Sequence, residues 1–117
     1  MPVAWHLDDW PYFEHVVTPT HGMTGLRDPD EPLKVWTREF DYLYEHVGRG
    51  LLTITMHPQV IGRGYRMLML KQFLVHVTSR PDVSFTTLGD YCEFWRQGRS
   101  HGLPEGAGPA RSDAWNS

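Results

Sequence analysis

Three polar residues have the types that acid–base chemistry needs: the adjacent aspartates Asp8 and Asp9, and His57. Each follows a short apolar segment that predicts a β-strand, Pro2–Leu7 before the aspartates and Leu51–Met56 before the histidine. Because neighbouring parallel strands end at the same edge of a sheet, one carboxylate could meet the imidazole there. A carboxylate that binds a histidine fixes its tautomer and raises its basicity, which is the arrangement of a general acid or base.

The same residues also allow purely structural roles. Asp8 and Asp9 precede Trp10 and a proline, so a side-chain oxygen could bind the backbone in a turn. His57 precedes another proline and could hold a loop carbonyl. Glycines flank Arg63, but this short pattern without a strand–helix fingerprint is weak evidence for a phosphate site. The spacing alone leaves the catalytic and structural interpretations open.

The chain alternates between predicted strands and amphipathic helices. A third strand is predicted at Val83–Thr87, and the helices are indicated by apolar residues that recur at steps of three and four. Those apolar positions are Leu33, Trp36, Phe40, Leu43 and Val47 in the first helix, Met67, Leu70, Phe73, Leu74 and Val77 in the second, and Leu88, Tyr91, Cys92 and Trp95 in the third. Strands separated by helices predict an α/β fold with three parallel strands and three helices.

Local signals predict where the helices begin and end. Asp30 could cap the first helix and Gly48 could end it in a left-handed conformation. Pro81 stops the second helix, while Thr87 and Asp90 resemble a capping box at the start of the third. Three strands are too few for a closed (β/α) barrel, which takes roughly 250 residues. The sequence therefore predicts part of a larger fold.

Composition divides the chain into a domain over residues 1–97 and a tail over residues 98–117. The tail is rich in glycine, proline and serine and shows no apolar period. Such a segment cannot bury enough apolar surface to offset the entropy lost on ordering. We expect the tail to be flexible.

Charge and cysteine content argue against several classes of protein. The 117 residues include 11 Lys+Arg and 14 Asp+Glu, a formal net charge of −3, whereas nucleic-acid binders usually carry a basic patch. A single cysteine excludes an internal disulfide and a cysteine-based zinc site within one chain. Neither a membrane span nor a secretory signal is evident. We expect a cytoplasmic protein with no nucleic-acid or membrane partner.

Two motifs resemble one known family. The run TMHPQVIGRGYRMLML and the opening PVAWHLDDWPYF are similar to segments in the C-terminal part of polysaccharide deacetylases. This is the NodB-homology superfamily, carbohydrate esterase family 4, and the resemblance is to its peptidoglycan-deacetylase-like and allantoinase-like subgroup. It covers roughly Met1–Gly98 and implies the C-terminal portion of a distorted (β/α) barrel.

The resemblance also implies a reaction. Such enzymes use a divalent metal of the zinc type to activate water for hydrolysis of an N-acetyl amide or another non-peptide C–N bond. His57 matches their late acid histidine, and Asp9-Trp10 matches the pair that orients it. Trp10 and Arg63 are the substrate-binding candidates that the two motifs suggest.

The family's metal-binding motifs are missing from this sequence. T-F-D-D-G and H-[S/T]-x-x-H do not occur, and His6–Trp10 resembles the first only superficially. No metal ligands can therefore be named, and we expect a deacetylase-like fragment that is inactive alone. Its substrate would be an N-acetylated saccharide or a cyclic amide, and the chain would self-associate or need an N-terminal complement. The alternative is a non-catalytic remnant or interaction module that pairs through exposed sheet edges.

Overall fold

The computed structural model describes residues 4–97 and 108–109, and it divides into two compact units. The division falls within a helix, between Leu74 and Val75. Every residue singled out above for acid–base chemistry or substrate binding lies in the first unit. Within the described residues, no helix is both long and apolar enough to cross a membrane.

Helices dominate the first unit. A 3₁₀ turn at Trp5–Leu7 is followed by the short helix α1 (Trp10–Phe13), the long helix α2 (Asp30–Tyr42) and a π-helical turn at Leu43–Val47. Then come the short helix α3 (Pro58–Ile61) and the start of α4 (Gly64–Thr78). Two strands of two residues each, β1 (Val16–Val17) and β2 (Gly22–Met23), pair antiparallel in the loop between α1 and α2.

The predicted three-stranded parallel sheet is wrong. Trp5–Leu7 forms a 3₁₀ turn instead of the end of a strand, and Leu51–Met56 contributes one isolated parallel bridge, between Thr55 and Asp8. In the third predicted strand, Ser84–Phe85 pairs antiparallel with Gly108–Pro109. The described residues therefore contain no parallel sheet and no barrel portion, because none of the three apolar segments has a parallel strand beside it along its length.

The predicted helices are confirmed, with one change at a cap. The first predicted helix runs from Asp30 through the π-helical turn to Gly48, whose φ of 78° gives the left-handed end that glycine favours. Its N-terminus is capped by Asp28, whose carboxylate accepts a hydrogen bond from the Asp30 N–H at 2.9 Å. The prediction that Asp30 caps this helix is therefore wrong, although the helix does begin at Asp30.

The core of the first unit forms around α2. Trp36 is fully buried, donates its indole N–H to the His6 carbonyl at 3.0 Å, and packs edge-on against Phe73. This one side chain joins α2 both to the turn that precedes the aspartates and to α4. Other buried apolar side chains of this unit are Leu7, Phe13, Phe40, Val60, Ile61 and Met69.

The second unit contains the end of α4, strands β3 (Ser84–Phe85) and β4 (Gly108–Pro109), and helix α5 (Leu88–Arg96). Half of the predicted capping box at the start of α5 is confirmed, since Thr87 Oγ1 accepts a hydrogen bond from the Asp90 N–H at 3.1 Å. The Asp90 carboxylate accepts from the Thr87 hydroxyl at 2.6 Å, whereas a capping box uses the backbone N–H of the capping residue. The predicted flexible tail lies outside the described residues, apart from Gly108–Pro109.

Candidate functional site

Backbone hydrogen bonds bring the segment that carries Asp8 and Asp9 beside the segment that leads to His57. The Thr55 N–H donates to the Leu7 carbonyl at 2.8 Å, and the Asp9 N–H donates to the Thr55 carbonyl at 3.2 Å. This is the alternating pattern of a parallel pair, although it extends over one bridge only. It is sufficient to set Asp9 beside His57, which follows Thr55 by two residues.

Each of the two segments turns into a short helix immediately after its polar residue. Asp8 Oδ1 accepts a hydrogen bond from the Trp10 N–H at 2.8 Å, which satisfies an amide at the start of α1. His57 has an extended backbone and is followed by Pro58, the first residue of α3, a position that favours proline. The turn role that the sequence left open therefore belongs to Asp8.

Asp9 and His57 form the centre of the site. The Asp9 carboxylate accepts the His57 backbone N–H at 3.0 and 3.2 Å and binds the ring Nδ1 at 2.7 Å. Asp9 is fully buried, whereas 34% of the His57 side chain is exposed. The more distant Asp8 carboxylate lies 3.8 Å from Nδ1.

This environment favours the protonated imidazole. The hydrogen bond that the His57 ring donates to the Asp9 carboxylate is the largest cause that raises the pKa of His57 above its ordinary value of 6.5. The charges of Asp9, Asp8 and Glu14 act in the same direction. Partial desolvation opposes them. Because Nδ1 is bound to Asp9, the second ring nitrogen, Nε2, is the atom available for proton transfer. It makes no hydrogen bond to any residue that the structure describes.

The two substrate-binding candidates differ in position. The indole of Trp10 lies edge-on to the His57 ring, with 5.2 Å between centroids, so it limits rotation of the imidazole. Arg63 lies exposed beside the start of α4, and its guanidinium forms no hydrogen bond or ion pair within the described ranges. The structure therefore brings Trp10, but not Arg63, into contact with His57.

Among the described residues, one group could hold a metal ion: Asp8, Asp9 and His57. One ligand atom from each of them lies within 4.8 Å of the others. Most of these donor atoms are already engaged. His57 Nδ1 binds Asp9 directly, and Asp8 Oδ1 caps α1. An ion bound through Nδ1 would have to displace its proton and the bond to Asp9. The hydrogen bonds that the structure contains join Asp9 and His57 as a pair suited to proton transfer.

Sequence reasoning missed Arg66. It is 5% exposed and donates to the Val60 carbonyl at 2.7 Å and to the Tyr65 hydroxyl at 2.8 Å, with a longer contact of 3.5 Å to the Phe13 carbonyl. A signal for it was present, because Arg66 lies three residues before Met69 and seven before Phe73, on the buried face of α4.

A scan against models of protein families finds none that matches the chain. Over 93 residues the chain is 24% identical to a peptidoglycan deacetylase of Helicobacter pylori. The matched segment covers 80% of this chain but 31% of that protein, so the chain spans about a third of its relative's length. The chain is thus similar to part of a deacetylase.

Proposed function

We propose that this chain is the portion of a polysaccharide-deacetylase-like hydrolase that supplies a general acid, His57. The observation that carries the proposal is the pair formed by His57 Nδ1 and the buried carboxylate of Asp9, 2.7 Å apart. Partial similarity to a peptidoglycan deacetylase supports the reaction class. The substrate would be an N-acetylated saccharide or a cyclic amide, and a cytoplasmic location belongs to the same proposal.

The geometry suits proton donation to a leaving nitrogen. Asp9 holds the Nδ1–H and favours the imidazolium, so that Nε2 carries a proton towards solvent. When water has added to the amide carbonyl, the C–N bond breaks with its electron pair on nitrogen. Nε2 then gives its proton to that nitrogen, and a neutral amine leaves.

The attacking water must be activated from outside the Asp9–His57 pair. In the family that the sequence resembles, a divalent metal supplies this activation, and a catalytic metal site takes about three protein ligands. Asp8, Asp9 and His57 offer three candidate ligand atoms, but a metal ion on these residues would take up the Asp9 and His57 atoms that bind one another in the proposed acid pair. We therefore expect the chain to need a complement, encoded upstream or supplied by another polypeptide, before it can turn over substrate.

Turnover tests this proposal. Amide hydrolysis is measured on an N-acetylated chitooligosaccharide and on allantoin with added zinc, for the chain alone and for the chain extended by any open reading frame upstream of Met1. We expect turnover by the extended protein only, and we expect His57→Gln to lower its kcat by ~10²–10⁴-fold. His46→Gln is the matched control, since His46 is exposed on the π-helical turn.

Two results would contradict the proposal. Zinc-dependent turnover by the 117-residue chain alone would mean that its own residues form the metal site. An extended protein in which His57→Gln behaves like His46→Gln would remove the acid role of His57.

A second candidate is an interaction module without catalysis, and one observation favours it. Tyr65, Met67 and Leu68 on α4 are 48%, 46% and 64% exposed. We call these three residues the α4 apolar face. Since the strands in the described part are two residues long, a partner would dock on this face rather than along a sheet edge. An in-frame stop codon close upstream of Met1 would favour this second function.

A further inference from the structure

We infer that Arg66 is a positioning residue that holds Asp9 and His57 in register through the two short helices that follow them. The inference rests on the proposed function in one respect, because it names the residue that supports the same acid–base pair. The contacts behind it, hydrogen bonds, a ring contact and burial, do not depend on activity. Arg66 contacts neither Asp9 nor His57 directly.

The first link runs from Arg66 through α3. One guanidinium nitrogen donates to the Val60 carbonyl at 2.7 Å. The backbone N–H of Val60 donates to the His57 carbonyl at 2.8 Å. Val60 is fully buried. Arg66 therefore fixes the position of Val60, and Val60 in turn binds the backbone of His57.

The second link repeats this arrangement through α1. The other terminal nitrogen of Arg66 lies 3.5 Å from the Phe13 carbonyl, and the Phe13 N–H donates to the Asp9 carbonyl at 3.2 Å. The guanidinium carbon also lies 4.5 Å from the centre of the Phe13 ring. The Asp9–His57 hydrogen bonds complete a closed loop of five residues: Arg66, Val60, His57, Asp9 and Phe13.

Burial and charge indicate position rather than stability as the role of Arg66. Its polar contacts among the described residues are two carbonyls and a phenol, with no carboxylate. Burying a cation without an acidic partner is expensive, so the presence of Arg66 here is weak evidence that it stabilises the fold. The planar guanidinium can reach both carbonyls at once, whereas a lysine ammonium cannot reproduce that fork.

The pKa of His57 in the full chain is the readout, since a residue that only stabilised the fold would leave it unchanged. The charges that act on this ring come from Asp9, Asp8 and Glu14, so a change caused by Arg66 would report altered geometry. The His57 ring is titrated by NMR in three variants. Arg66→Lys keeps the charge, Arg66→Met removes it, and Arg38→Met is the control at an exposed arginine. We expect both Arg66 variants to lower the His57 pKa, in the direction that we also expect of Asp9→Asn, and the control to leave it unchanged.

Two outcomes would overturn the inference. A folded Arg66→Met protein with the wild-type His57 pKa would leave Arg66 a structural role only, as would loss of folding in both Arg66 variants. The titration needs no turnover. An inactive enzyme with the expected pKa changes would therefore contradict the proposed function and leave the positioning role of Arg66 standing.

Discussion

Asp9 binds both the backbone N–H and the ring Nδ1 of His57, so one buried carboxylate fixes the position and the tautomer of the same histidine. The two bonds have different consequences. The backbone bond would survive deprotonation of the ring, whereas the bond to Nδ1 is strongest when the imidazole is charged. Asp9 is therefore both a structural anchor and the electrostatic partner of His57.

Replacing Asp9 should lower the pKa of His57. Asp9→Asn keeps the shape of the side chain but removes its charge, which removes the largest cause of the raised pKa. Asp8→Asn should lower the pKa less, because Asp8 lies 3.8 Å from Nδ1 and acts through its charge alone. NMR titration of the His57 ring measures both, with Asp28→Asn as a control at an exposed helix cap. Equal midpoints in wild-type and Asp9→Asn proteins would contradict the pairing.

The same pair makes stability depend on pH. The folded pKa of His57 lies above its ordinary value of 6.5. The stabilisation is therefore fully present below the unfolded pKa and is lost as the pH rises through the folded pKa. Urea unfolding of the wild-type and Asp9→Asn proteins between about pH 5 and about pH 9 measures this. We expect the stability advantage of the wild type over Asp9→Asn to shrink as the pH rises. An advantage that grows with pH would contradict the predicted direction of the pH dependence.

Helix boundaries could be predicted because their signals are local. Gly48 ends the first long helix, and Thr87 begins α5, through conformations and hydrogen bonds made within a few residues. The capping residue Asp28 was missed, since Asp28 and Asp30 have the same type and both precede the apolar period. Their roles depend on the backbone of the turn, which the residue types do not determine.

The strands could not be predicted because a strand needs a partner. Leu51–Met56 has the apolar, β-branched composition of a strand, yet within the described residues it makes one bridge, at Thr55. Composition indicates that a segment suits a pleated surface, but it does not supply the neighbour that completes the ladder. The one bridge that does form is enough to bring Asp9 and His57 together, which explains why two residues expected to meet at the edge of a sheet lie side by side without that sheet.

Trp36 should be the most costly single truncation in the first unit. Its ring is fully buried, contacts Phe73 and donates its N–H to the His6 carbonyl. Trp36→Ala should reduce the free energy of unfolding by ~3–5 kcal/mol, measured by urea denaturation. Trp5→Ala is the matched control: Trp5 is 76% exposed, so its loss should change stability by less than about 0.5 kcal/mol. Similar losses for the two tryptophans would show that the core is not built around Trp36.

The α4 apolar face should make the purified chain self-associate. A helix that is apolar on its exposed side as well as its buried side is normally covered on both, and Leu68 is the most exposed of the three residues. Leu68→Glu should reduce the associated fraction seen by sedimentation velocity, because association would then bury an unpaired carboxylate. Tyr42→Glu is the control, since Tyr42 is 62% exposed on α2 and lies outside this face. Its association should match that of the wild type. Two results would mean that the α4 apolar face drives no association: a chain that stays monomeric at every concentration, or equal effects of Leu68→Glu and Tyr42→Glu. Either result would leave the second candidate function without support.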